Sequence, residues 1–181
     1  MIKRNFTPFP VLTTERLTLR QLSADDQQDI LALRSDPEIN KYLAREPSKT
    51  IEDATNFINK VNEHIQKNNS IYWAITLTKT RTFVGTICLF NFSDEKNSGE
   101  IGYELMPEFQ KQGIMTEAIQ EVITYAFQWL KFQKIVAFTH QENHHSIKLL
   151  EKANFLPSPE THQEDPGLMF SHYNSSSFRK H

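Results

Sequence analysis

Residues 99–130 read GEIGYELMPEFQKQGIMTEAIQEVITYAFQWL, and they contain a strand, a turn and a helix in direct succession. Gly99 to Leu105 is short and mostly apolar, with Pro107 just beyond to stop sheet pairing. From Thr116 to Leu130, the residues Ile119, Val122, Ile123, Ala126, Phe127 and Leu130 recur at helical spacing and form an apolar stripe that faces a core. Between the two lies the turn Gln110-Lys111-Gln112-Gly113-Ile114-Met115-Thr116. Gly113 lets the chain bend and lets a bulky group approach the backbone. The first amides of a helix have no partner inside it, and its dipole favours an anion there. The turn therefore reads either as a phosphate or pyrophosphate site, built from N–H groups of Gln112 to Thr116, or as a plain connection with Thr116 as helix cap. Neither the P-loop pattern nor the Gly-x-Gly-x-x-Gly fingerprint occurs in the chain.

Upstream, Thr14 to Leu22 alternates as a strand does, and Ser23, Asp25 and Asp26 suit the start of a short helix toward Ser35. Asp36-Pro37 breaks that helix, and Glu38 to Leu43 predicts another. Ile51, Ala54, Phe57, Ile58, Val61 and Ile65 predict a longer helix that ends near Asn68-Asn69. Ile71 to Leu77 and Phe83 to Phe92 read as a hairpin, and a turn at Asp94 to Asn97 leads into the Gly99 strand. Downstream come a buried strand at Lys134 to Thr139, a helix after Asn143 with Ile147, Leu149, Leu150 and Ala153 inward, and closing strands at Phe155 and Gly167 to Tyr173. This order predicts one α/β (α+β) domain on a mixed sheet, with a core over 12–173 and irregular ends at 1–11 and 174–181.

Composition bounds the partners. A chain of 181 residues with a formal net charge of −2 lacks the basic surplus of a duplex-coating protein, so no nucleic-acid partner is expected. No stretch is apolar enough to span a bilayer, no signal peptide is evident, and the single Cys88 cannot form an internal disulfide, so a cytoplasmic protein without a membrane partner is expected. Cys88 lies in an apolar strand and reads as a buried structural thiol. Adjacent His144 and His145 point different ways on a helix and have no ligand cluster nearby, so they read as surface residues and no metal is expected. Tyr72, Trp73, Phe90 and Phe92 read as core aromatics, some of which would border a pocket.

The string Gln110-Lys111-Gln112-Gly113-Ile114-Met115 resembles the Gln/Arg-x-x-Gly-x-Gly/Ala signature of the GNAT acetyltransferase superfamily. Thr14 to Arg20, Glu100 to Leu105, Gln112 to Ala118, Asn143 to Ser146 and Leu149 to Phe155 together resemble its RimJ/RimL-type group, in order from about residue 12 to 156. Met115 stands where Gly or Ala is usual, so its side chain must turn from the phosphates, and Asn154 stands where a glycine often precedes the phenylalanine.

The resemblance implies a mostly antiparallel sheet of six to seven strands, flanked by helices and splayed at its centre, with acetyl-CoA as co-substrate. It implies that Lys111, Gln112, Gly113, Ile114, Met115 and Thr116 hold the pyrophosphate, and that the backbone of Leu105 and Met106 meets the pantetheine arm. Glu100 is the first candidate for the base that deprotonates the attacking amine, and Glu104 is the second. Ser146 aligns with a serine that donates to the cofactor sulfur, where it otherwise reads as part of a helix cap. Asn143 aligns beside the pantetheine, and otherwise caps the same helix. The implied acceptor is an N-terminal α-amine of a protein or peptide. A small amine (a polyamine, an amino acid or an aminoglycoside) and a catalytically silent acetyl-CoA-binding module are the alternatives. Dimers are common among such proteins, so a homodimer is a further expectation.

Overall fold

The computed structural model describes residues 4–158 and 167–175, so the tip of the connection from Pro157 to Asp165 and the tail beyond Ser175 lie outside the described residues. Strands β1 (Leu12–Thr13), β2 (Leu17–Arg20), β3 (Ile71–Leu77), β4 (Phe83–Ser93), β5 (Ser98–Leu105), β6 (Lys134–His140), β7 (Leu156–Pro157) and β8 (Gly167–Tyr173) form one sheet in the order β1-β2-β3-β4-β5-β6-β8-β7. That is eight strands against the six to seven expected, because β1 and β7 are two-residue edge pairs too short to leave a period. The helices are α1 (Gln27–Ser35), α2 (Pro37–Asn40), α3 (Ile51–Gln66), α4 (Ile114–Gln128) and α5 (His144–Lys152).

Local chemistry accounts for the helix starts. Thr50 accepts from the Asp53 amide at 3.1 Å while Asp53 accepts from the Thr50 amide at 2.9 Å, a reciprocal cap for α3. Asp26, only 3% exposed, is clasped by both terminal nitrogens of Arg20 at 2.7 and 2.9 Å, and it takes the Ser23 amide at 2.8 Å. The helix expected from Thr116 begins earlier, at Ile114, because Gly113 supplies the cap through its backbone at φ +76 rather than through a side chain.

Every paired neighbour is antiparallel except β5 and β6, which α4 joins by a crossover. Their parallel register covers only Ser98 to Glu100 against Lys134 to Val136. Both strands run on, to Leu105 and His140, without further pairing, which forms a fork in the sheet. On the other side of β5 the pairing with β4 is tight: a Cβ on Gly85 would meet the Glu104 carbonyl oxygen at 2.2 Å. The fork therefore opens toward β6 alone.

Alternation assigns the two faces. Trp73, Ile87, Leu89, Ile101 and Tyr103 share the face under α4, where Tyr125 meets Trp73 edge-on at 5.6 Å. Tyr72, Thr86, Cys88, Phe90, Glu100 and Glu104 share the opposite face, where Phe57 of α3 meets Tyr72 at 5.6 Å. The segment before β1 has no regular structure, yet Phe6 is buried and the Trp73 indole donates to the Pro10 carbonyl at 2.8 Å. Asn154 adopts φ +64, the left-handed geometry its position demands.

Candidate active site

The turn before α4 contains two left-handed residues, Lys111 at φ +61 and Gly113 at φ +76. Glu117 donates its amide to the Gly113 carbonyl, so the amides of Ile114, Met115 and Thr116 precede the first helical bond and have no partner in the helix. The geometry is held from the turn between β1 and β2: Glu117 accepts from the Arg16 Nε at 2.7 Å, from the Arg16 amide at 2.9 Å and from the Thr14 hydroxyl at 2.5 Å. Arg16 also donates to the Gln112 carbonyl at 3.0 Å. The Thr14-Glu15-Arg16 string thus clamps the turn in shape.

Beside the turn lies a cleft of about 190 Å³, lined by Leu105, Lys111, Gly113, Ile114, Met115 and Thr116 and, from α5, by His145, Lys148, Leu149 and Lys152. Three of these side chains are ammonium groups and none is a carboxylate, which suits the phosphates of a nucleotide-bearing cofactor. The Met115 side chain is 4% exposed and faces the core, so it stays clear of an anion at its amide. Gln112 is not part of this lining: its side chain donates to the Glu108 carbonyl and its own carbonyl is taken by Arg16. His145, expected as a plain surface residue, is exposed but borders the cleft, and Lys148 and Lys152 escaped the sequence reading. Their spacing of three and four places them on one helix face, a signal that was present without a known partner. A larger hollow of about 550 Å³, lined by Arg4, Pro10, Tyr125 and Trp129 among others, contains none of the expected site residues.

The fork supplies a backbone edge. Met106 donates its amide to the Val84 carbonyl at 2.8 Å, so that N–H belongs to the β4 ladder rather than to the gap, contrary to expectation. By alternation the backbone groups of Ile101, Tyr103 and Leu105 turn toward β6. The Leu105 carbonyl is occupied by the Gln110 side chain at 3.1 Å, which leaves the Leu105 amide and the Tyr103 backbone facing the gap.

Two hydroxyls meet across the fork. Tyr103 of β5 and Ser146 of α5 share a hydrogen bond of 2.8 Å, 43 residues apart in sequence. Ser146 is 9% exposed, and its amide donates to the Asn143 side chain at 3.1 Å. Asn143 therefore caps α5, and the Ser146 hydroxyl remains free of capping duty. Burial pushes the Tyr103 phenol up to about 12 against the pull of its Ser146 bond, so it stays protonated through neutral pH. Tyr103 was not singled out from the sequence, since nothing local distinguishes it from a strand aromatic.

Glu100 and Glu104 share the face away from α4, since the register from Phe90–Glu100 to Gly85–Leu105 is unbroken. Burial raises the Glu100 carboxyl above its ordinary range, partly opposed by the Asn91 amide group that donates to it at 2.9 Å. Asn91, at φ +48, sits in the interruption of the β4–β5 register between Phe90 and Ser93. Glu104 is engaged by Arg45 at 2.5 Å, and Arg45 in turn donates its Nε to Asn40 at 2.7 Å. Tyr72, Cys88, Phe90, Glu100, Gly102 and Glu104 are all half-buried, where their counterparts under α4 are mostly buried. That contrast leaves this the more accessible face, the candidate wall of an acceptor cleft. Cys88 is half-buried on the cleft face rather than fully buried, and burial pushes its thiol up to about 12, too high for a neutral-pH nucleophile.

Among the described residues, no three His, Cys, Asp or Glu side chains gather as a metal site, and no helix is long and apolar enough to cross a membrane. The acetyltransferase (GNAT) domain family matches residues 16–156. An uncharacterized N-acetyltransferase, YoaA of Bacillus subtilis, is 34% identical over 147 residues, covering 81% of this chain and 83% of that protein. The structure of the ribosomal-protein-S5-alanine acetyltransferase from Vibrio fischeri superposes with a TM-score of 0.80 at 20% identity, covering 92% of this chain and 97% of that one. The spermidine N-acetyltransferase of Vibrio cholerae, in complex with CoA and spermine, superposes with a TM-score of 0.74 at 22% identity, covering 87% and 94%.

Proposed function

The chain belongs to the GNAT acetyltransferase family and is an acetyl-CoA-dependent N-acetyltransferase, and from that premise we propose that its acceptor is the N-terminal α-amine of a protein or peptide. The two structural neighbours act on different acceptors by name and share only the fold at their identities, so the choice rests on the cleft. The observation that carries it is the Arg45–Glu104 ion pair. With Glu104 neutralised, Glu100 is the carboxylate on the described cleft face that has no cationic partner. A polyamine brings several ammonium groups, each of which needs an anionic partner when desolvated; a peptide N-terminus brings one.

Acetyl-CoA supplies the thioester acyl group. The Ile114, Met115 and Thr116 amides with Lys111, Lys148 and Lys152 bind its phosphates, and the Leu105 amide and Tyr103 backbone align the arm in the fork. Glu100, made more basic by burial, takes the proton of the attacking amine from the open face of the sheet, directly or through a water. As the C–N bond forms and the C–S bond breaks, Ser146 donates to the departing sulfur from the α4 side and Tyr103 supports that hydroxyl. Base and acid thus stand on opposite faces of β5, and the fork between β5 and β6 connects them.

The test is thiol release with acetyl-CoA, comparing short peptides bearing a free N-terminus with spermidine, spermine and an aminoglycoside. Peptides are expected to show the highest kcat/KM, and N-terminally blocked peptides none. Turnover of spermidine with every peptide inert would overturn the reading.

A further inference from the structure

Arg34 at the C-terminal end of α1 is a second guanidinium in the acceptor cleft. Its carbon lies 3.8 Å above the Phe57 ring, and Phe57 packs on Tyr72, whose hydroxyl meets Thr86 at 3.0 Å directly across from Glu104. Arg34 is near enough to Arg45 and Glu104 to feel the charge of each. Arg45 spends its charge on Glu104 and its Nε on Asn40. Arg34 spends nothing: its Nε is buried without a partner, and its guanidinium makes no hydrogen bond or ion pair among the described residues.

Two cations against one paired carboxylate leave a surplus positive charge on a half-buried wall. Burial disfavours the charged form of Arg34, and Arg45 disfavours it further. A planar fork held over an aromatic ring, with donors unspent, is an arrangement that can accept a carboxylate in bidentate fashion. The opposite charge lies along the same strand. Glu100 and Glu104 are four residues apart on β5, roughly 13 Å at strand rise, so the cleft presents an anion at one end and a cation at the other. An extended peptide covers roughly that span in three to four residues.

We propose that the acceptor site is built for a zwitterion, in which the amine meets Glu100 and an acidic side chain within the first few residues of the peptide is held by Arg34. The inference rests on the α-amine reading and extends it to a sequence preference.

Matched peptides with free N-termini and amidated C-termini, carrying Asp or Glu at positions 2 to 4 or the corresponding Asn or Gln, provide the test. Free amino acids run against their amides form a separate arm for the other source of a carboxylate. Acidic peptides are expected to exceed their amide partners about tenfold in kcat/KM, mostly through KM. Arg34→Gln abolishes that preference and Arg34→Lys retains part of it, while acetyl-CoA affinity, read by calorimetry, reports that each variant is folded. A carboxylate preference confined to free amino acids, and lost in Arg34→Gln, supports the guanidinium site but overturns its peptide spacing. Equal turnover of acidic and neutral peptides by the unaltered protein overturns the proposal while the α-amine reading stands, and needs no variant to fold. Spermidine turnover with all peptides inert overturns both.

Discussion

Glu100 is the residue at which stability and chemistry oppose each other. Burial raises its carboxyl, so the folded chain holds that proton more tightly than the unfolded chain does. Stability contributed by the neutral form is therefore present at low pH and is lost as pH rises through the raised value, while the proposed base becomes competent over the same interval. Glu100→Gln is expected to lower kcat roughly 100-fold and to erase the acidic limb of the pH–rate profile, with a thermal midpoint at pH 7 no lower than that of the unaltered protein. An unchanged acidic limb would remove Glu100 from the proton path. The hydroxyl pair divides differently, because the proposed mechanism gives the two groups different jobs. Ser146→Ala removes the proposed donor to sulfur and should cost roughly 100-fold in kcat. Tyr103→Phe removes only a supporting hydrogen bond and should cost about fivefold. Steady-state kinetics on both variants decide the order, and a larger loss in Tyr103→Phe would make the phenol the direct donor.

At the level of elements, α5 acts through one face. His145, Lys148 and Lys152 line the cleft beside the α4 turn, so the helix that carries Ser146 also brings cations to the phosphates. The double variant Lys148→Ala/Lys152→Ala is expected to weaken acetyl-CoA binding about tenfold at low ionic strength, and the difference should shrink as salt is raised. A salt-independent loss would assign the lysines to helix packing instead. This helix also shows where sequence reasoning stops. Its period and the left-handed Asn154 after it were readable, because both are local demands of the backbone. The turn of Gly113 was readable from one glycine and its neighbours, though not the start of α4, since a backbone cap leaves no side-chain signal. Contacts between distant elements left no trace: the Tyr103–Ser146 bond spans 43 residues, Asn91 reaches Glu100 from an irregular stretch of β4, and Arg45 reaches Glu104 from the loop between α2 and α3. Sequence placed Glu100 and Glu104 on one face. Only the packing of the loop against that face separated a paired carboxylate from an unpaired one.

For the molecule as a whole, the fork is the point of weakness as well as of function. The β1–β5 half and the β6–β8–β7 part meet through three residue pairs, Ser98 to Glu100 against Lys134 to Val136, backed by α4 and its packing on α5. Beyond those pairs the Tyr103 and Leu105 amides face a gap instead of a neighbouring strand, and unpaired amides exchange hydrogen readily. A ligand that fills the gap and bonds this edge replaces the missing strand contacts and ties the halves together. Acetyl-CoA at a hundredfold excess over its Kd should stabilise the fold by about 2.7 kcal/mol, and the gain should be unevenly distributed. Hydrogen exchange is expected to slow most at Tyr103, Leu105 and the Ile114 to Thr116 amides, and least in β1 to β3. The Lys148→Ala/Lys152→Ala variant, brought to the same saturation, should show the same pattern, because it weakens the hold on the phosphates without altering the strand edge. Protection confined to the α4 turn would mean that the anion is bound but the arm never lies along β5, and the alignment of the thioester would then have to come from α5 alone.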